Sequence, residues 1–328
     1  MEILEAYCVE LDEVVDIYDA QNAYFDMSES SRRRFTFRCS DDECRRVKNP
    51  LVSGVNYHRL AEETIKYRQP HFRAPAANEH LPTCIWYETN SGAVFSASAT
   101  DEKSRVERAK KTDVIDVFQP GKSDTITRAG GQLKPAVAPT PSRAAHASEA
   151  TGGVASKARG DYNKTPKLER FIDCWLQFEG EELKAHEVAI EGKILSYRNA
   201  VTNPAWIKQE HNGQRILYGA ANISLWPAEK ATHLYLNFRD DCEQFDGNLG
   251  SKLLTIQLPL ARIRQHRGGT VMLNKLQQAQ LPGHYLKIYC WGEIKPRERR
   301  PGYVVEIESL NNLVLKPVEK KSFGRRKP

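Results

Sequence analysis

The chain has 328 residues, enough for two domains, with 40% hydrophobic residues and a net charge of +6. No apolar run approaches the ~18–20 residues that span a bilayer, and the acidic start MEILEAYCVELDEVVDIYD shows no basic leader, so a membrane or secreted protein is set aside and a cytoplasmic one expected. The charge is uneven, −5 over residues 1–118, +3 over 119–163 and +8 over 164–328. A basic C-terminal half suits a polyanionic partner, whereas the acidic N-terminal part suits a protein partner.

Residues 3–37 read as strand-rich, with Val14, Val15, Ile17 and Tyr18 as one apolar run. AQNAYF fits either a helical turn or a second strand. Phe35-Thr36-Phe37 alternates as a strand delivering the chain to Cys39, and the triplet Arg32-Arg33-Arg34 before it reads as a solvated turn. LAEETIKY is expected as a short helix, residues 85–100 as strand, turn and strand, and the charge-dense run 101–118 as a solvated helix closing the first domain.

Residues 119–163 are rich in Ala, Gly, Pro, Ser and Thr and hold one aromatic, Tyr162. Such a stretch buries too little to offset its ordering entropy, so a disordered tether is expected between two independent bodies. Beyond it, KLERFIDCWLQFEGEEL reads as an entering helix. Strand character follows at 186–197, 215–223, 233–238, 252–258, 285–294 and 303–308, with a helix near 270–280. That order, with one helix before the last hairpin, is the order of an oligonucleotide/oligosaccharide-binding (OB) barrel. The chain ends in the basic run Lys320, Lys321, Arg325, Arg326 and Lys327.

Between Phe35 and Trp86 stand Cys39, Cys44, His71, His80 and Cys84 as good metal ligands, with His58 a further imidazole that reads better as a surface residue. Cys39 and Cys44 sit among Arg38, Ser40, Asp41, Asp42, Glu43 and Arg45, where no apolar core would place them. His80 and Cys84 are separated by three residues, so on a helical turn both face one way. Two cysteines brought against a His and a Cys supply the tetrahedral N/S set of a structural zinc ion. The remaining cysteines, Cys8, Cys174, Cys242 and Cys290, are scattered and odd in number with the rest, which is no disulfide framework.

On YLKIYCWGEI, Tyr285, Lys287, Tyr289 and Trp291 share one strand face. With Tyr235 they could stack bases, while Lys295, Arg297, Arg299 and Arg300 at the hairpin tip would follow the phosphates. The competing reading buries these aromatics under the entering helix. The enzymatic rival is a metal-dependent nuclease with Glu191-Gly192-Lys193 and the upstream Asp173. Phosphate-binding, nucleophile-elbow and HExxH motifs are absent.

The stretch 35–86 resembles the N-terminal zinc-binding module of bacterial CoiA-like competence proteins and related mobile-element families. The shared pattern is an aromatic-flanked Cys pair, a His-Phe-x segment, then a His and a Cys. Here these are Phe37-Arg38-Cys39 and Cys44, His71-Phe72-Arg73, and Glu79-His80 through Cys84. The Cys pair is wider than in the family and the insert before His71 is long. Either His71 or His80 can therefore complete the set, and His80 is favoured as nearer to Cys84. The resemblance implies a bacterial protein handling nucleic acid in DNA uptake, transfer or defence. In CoiA-like proteins a nuclease domain follows; here an OB-like half follows, so that activity is not carried over.

The expectation is a mostly β (α+β) protein. It has a small zinc-binding β-rich domain (1–118), a disordered linker (119–163), an OB-like β-barrel domain (164–318) and a basic tail (319–328). Its expected function is non-catalytic binding of nucleic acid, single-stranded DNA above all. A CoiA-like nuclease and a protein-interaction scaffold are the alternatives.

Overall fold

The computed structural model describes residues 2–60, 70–73, 80–84, 86, 114–121, 124, 164–208, 213–227 and 229–320. Among them the chain is β-rich, with seven helices and three sheets. In the N-terminal module, β1 (Glu2–Ile3), β2 (Glu5–Cys8) and β3 (Glu13–Asp16) lead directly into α1 (Ile17–Asp26). Asp16 ends the strand and caps the helix, accepting the N–H groups of Tyr18 and Asp19 at 2.9 and 2.8 Å. Those amides have no partner inside the helix, so the carboxylate sets where it begins. Ile17, Ala20, Gln21 and Phe25 are buried at helical spacing. AQNAYF is thus the second half of one helix rather than a strand.

Then come β4 (Phe37–Arg38), α2 (Asp42–Val47), β5 (Leu51–Val55) and β6 (His71–Arg73). These short strands form an antiparallel sheet in the order β1-β6-β5-β4-β2-β3. Phe35, Phe37, Tyr57 and Phe72 fill its core, Phe37 meeting Phe72 edge-on at 4.9 Å.

The second body starts earlier than 164. Strand β7 (Val117–Phe118) lies parallel to β8 (Lys164–Thr165) on one side and to β9 (Glu187–Ile190) on the other. With β10 (Lys193–Ser196) they form a four-stranded sheet ordered β10-β9-β7-β8. The expected boundary at 118 is therefore displaced: residues 114–118 belong to the second body, because Phe118 is fully buried against Phe171 in that core. Asp124, inside the expected linker, is held too, accepting from Leu310 N–H at 2.5 Å and Arg262 Nε at 2.7 Å. Helix α3 (Leu168–Trp175) matches the expected entering helix, followed by α4 (Glu182–Ala185), α5 (Tyr197–Ala200) and β11 (Val201–Thr202).

The largest sheet uses β12 (Arg215–Trp226), β13 (His233–Phe238) and β14 (Leu254–Pro259) as an antiparallel meander. Helices α6 (Leu260–Gln265) and α7 (Gly269–Ala279) follow, then β15 (His284–Gly292), β16 (Ile294–Pro296), β17 (Tyr303–Val305) and β18 (Leu313–Glu319). The strand order is β16-β17-β14-β13-β12-β15-β18, with β11 beside β12. As a hydrogen-bonded path this is open, not a closed barrel. Leu234, Leu236 and Phe238 alternate inward along β13 and join Ile256, Leu286 and Ile288 in the main core.

The two bodies touch, contrary to the expectation of independence: α1 packs on α7. The expected helix at LAEETIKY, the strands of 87–100, the helix over 101–113, the disorder of 125–163 and the tail at 321–328 lie outside the described residues. Among the described residues, no helix is long and apolar enough to cross a membrane.

Candidate functional site

Strand β4 delivers Cys39, as its alternation predicts. The acidic run after it has a local cause: Asp41 caps α2, accepting Cys44 N–H at 2.7 Å. Asp42 and Glu43 occupy the first turn and Arg45 and Arg46 the last, each sign matching the helix dipole. The charges around the cysteines thus build the helix that aims Cys44 inward. From the other side, residues 80–84 form a turn closed by Cys84 N–H to Leu81 O at 2.9 Å.

The result is a buried group of Cys39, Cys44, His80 and Cys84, whose ligand atoms all lie within 4.8 Å of one another. Cys39 Sγ is 3.6 Å from Cys84 Sγ. His80 Nδ1 is 3.5 Å from Cys44 Sγ and 3.4 Å from Cys84 Sγ. A tetrahedral centre with metal–ligand bonds of about 2.0–2.3 Å requires ligand–ligand separations of roughly 3.5–3.8 Å, so the group could hold a metal ion. His71, the alternative ligand, stands on β6 outside this group. Backbone N–H groups of Leu81 and Trp86 point at Cys44 Sγ (3.3 Å) and Cys84 Sγ (3.5 Å), the pattern that favours thiolates.

The thiols divide their protons unequally. The hydrogen bond from Cys39 brings Cys84 down to about 6, against the effect of burial. Cys39 is pushed up by that same hydrogen bond and by burial, and burial raises Cys44. Three thiolates cannot stay charged together in this space unless a cation joins them. The other four cysteines are buried thiols.

Protein-family models, curated proteins and solved structures yield no match to this chain.

The expected base-stacking set is divided by the structure. Tyr289 and Trp291 are buried, at 1% and 7% exposure. Trp291 meets Phe118 edge-on at 5.9 Å, and Tyr289 is in ring contact with Tyr218 and with Trp175 of α3. Rings this buried offer no face to a base, so these two belong to the core under the entering helix. Lys287 is half-buried, its Nζ over Tyr218 at 5.5 Å and Tyr289 at 5.4 Å, and burial lowers its pKa. Tyr285 carries Arg239 over its ring at 5.9 Å.

Tyr235 stands elsewhere, on the outer side of β13. Register puts it between Ser224 and Gln257, with Trp226, His233 and Pro259 forming the next row. Trp226 is 59% exposed and was missed in the sequence; its signal was an aromatic at the end of a strand just before a proline. At the hairpin tip, Arg299 and Arg300 are exposed, Arg297 is half-buried and Lys295 pairs with Glu306 at 3.0 Å. Asn248, also missed, holds this loop by donating from Nδ2 to the carbonyls of Arg297 (2.8 Å) and Gly302 (2.9 Å).

The nuclease set does not assemble. Glu191 and Gly192, with φ of 47° and 79°, are the two turn residues between β9 and β10. Asp173 is instead engaged by the Tyr18 hydroxyl and by Lys316.

Proposed function

We propose that this chain binds single-stranded nucleic acid through an OB-like second body, and that a structural zinc ion on Cys39, Cys44, His80 and Cys84 holds its first module together. The donor set supports zinc: three thiols and one imidazole at tetrahedral spacing leave no open position for a reactant. The ion would supply folding energy there rather than chemistry.

Strand pairing supports the OB-like reading. A meander β12-β13-β14 is followed by helices, and β15 returns antiparallel to β12. Only Glu293 separates β15 from β16, which pairs with β17, and β17 runs parallel to β14. Treated as one bent strand, β15 and β16 bring the path back to its start. In OB modules the ligand lies on the second and third strands, between the loops that flank them. Here those strands are β13 and β14, and the flanking loops are 227–232 and the basic 297–302. The observation that carries the proposal is this outward face. Trp226, His233, Tyr235 and Gln257 lie along it, and the basic loop of Arg297, Arg299 and Arg300 joins it beside Leu253 at the start of β14, at the end opposite the Trp226 row. The CoiA-like pattern of residues 35–86 supports a role in bacterial DNA uptake, transfer or defence.

Fluorescence anisotropy with a labelled single-stranded oligonucleotide tests it. Each stacked base is worth roughly 1–3 kcal/mol, so Tyr235→Ala with Trp226→Ala should weaken binding at least tenfold. Arg299→Glu with Arg300→Glu should weaken it further and flatten its salt dependence. Affinity that ignores both pairs of changes and added salt would refute the proposal and favour an interaction scaffold.

A further inference from the structure

Helix α1 has two faces in use. Ile17 and Ala20 belong to the same apolar cluster as Cys39, Cys44 and Cys84. The opposite side meets the second body through hydrogen bonds and ion pairs. Tyr18 donates its hydroxyl to Asp173. Lys167, just before α3, pairs with Asp19 and, at 3.2 Å, with Asp16, the residue that caps α1. Arg267 pairs with Glu13 at 2.8 Å. Asp26, at the end of α1, accepts the N–H of Gly268 at 2.9 Å. Gly268 precedes the first turn of α7, where unpaired amides and the helix dipole favour an anion. The module thus provides an acid that caps a helix of the other body.

The contact is close as well as polar. Gly268 has φ of 89°, and a Cβ there would come within 2.4 Å of the Asn22 side chain on α1. Lys167, Asp16 and Asp19 are 15%, 13% and 26% exposed, so their pairing is not a solvated surface bridge. The junction is mixed: Tyr18, Val271, Met272, Leu310, Leu313 and Leu315 line its cavity together with charged groups of both signs, so apolar contact and charge pairing are interleaved there. Such a contact depends on geometry, and the geometry of α1 depends on the cluster beneath it.

We infer that α1 couples metal occupancy to the seating of the module: with the ion bound, Ile17 and Ala20 hold α1 in register with Lys167, Arg267 and Gly268, and without it the module leaves the second body. The inference rests on the metal reading proposed above. The second body keeps its own core, so loss of the ion releases the module without unfolding its neighbour.

Hydrogen exchange on the full chain, with metal content measured alongside, tests this. Chelation under reducing conditions should speed exchange at least tenfold in the first turn of α7 and at the start of α3, and zinc should restore it. Lys167→Glu places a third carboxylate against Asp16 and Asp19. It should open the same amides while the chain still holds about one ion, and Asp19→Lys in that background should close them. A chain that loses its ion and keeps those amides protected overturns the inference and leaves the metal reading standing. A chain that never holds a stoichiometric ion removes both.

Discussion

The two bodies solve one problem, the ordering of a β-rich chain, by different means. The second body has a strand of twelve residues, and its sheet encloses a wide apolar core. The module has no strand longer than five residues among those described, and its core is small and ringed by charge. Short strands bury too little surface to offset chain entropy, so a small body needs a further clamp. The four-ligand cluster is placed to be that clamp. On the metal reading proposed above, folding by burial is spread over many side chains in one body and folding by ligation is concentrated in four in the other.

The largest test of this contrast is Cys84→Ser. Occupancy of such centres is worth about 10–16 kcal/mol in small zinc modules. Elemental analysis should show the ion lost, and hydrogen exchange should show the module's amides open while the second body keeps its own melting transition. Next is Tyr289→Ala, which should remove about 3–5 kcal/mol from the second body by leaving a cavity. Chemical denaturation would read that loss, while metal content and the affinity of the folded fraction for single strands stay as they were.

A smaller effect comes from Asp124. Burial alone would raise its pKa, but the Leu310 N–H and Arg262 outweigh it and hold the carboxyl below its usual range. Its stabilisation is therefore complete above about pH 4–5 and is lost as pH falls through the lower folded value. Denaturation midpoints of the natural chain should fall more steeply on acidification than those of Asp124→Asn, the two converging at the acid end. The smallest is Glu191→Asn: at φ of 47° in a two-residue hairpin turn, asparagine is the easier residue. A gain of about 0.5–1 kcal/mol is expected, with no change in any activity on nucleic acid.

How far the sequence could be read depended on the distance over which each signal acts. Cys39 and Cys44 stood out because their neighbours were acidic and basic, and those neighbours are the cap and end turns of α2. The strand 233–238 was legible to the residue, since Leu234, Leu236 and Phe238 alternate without interruption. The same alternation on β15 showed that Tyr289 and Trp291 share a face but not what covers it. The cover is Trp175 of α3 and Phe118 of β7, both more than a hundred residues away. Strand β7 itself has two residues, too few for any periodicity, so the body it joins could only be learned from its partners.

One pairing bears on how the chain can be altered. Val117 and Phe118 lie directly beside Lys164 and Thr165. Gly121 and Asp124 are also held on the second body, by Asn312, Leu310 and Arg262, so both ends of the stretch 125–163 are anchored to that body rather than one to each. The covalent link between module and second body is 87–113 instead. For a flexible loop closed at both ends, a change of length alters the entropy only logarithmically, by about 0.6 kcal/mol per doubling. A tag, a reporter domain or a truncation kept between Asp124 and Lys164 would leave both anchors in place, which makes that interval the natural handle for engineering this protein.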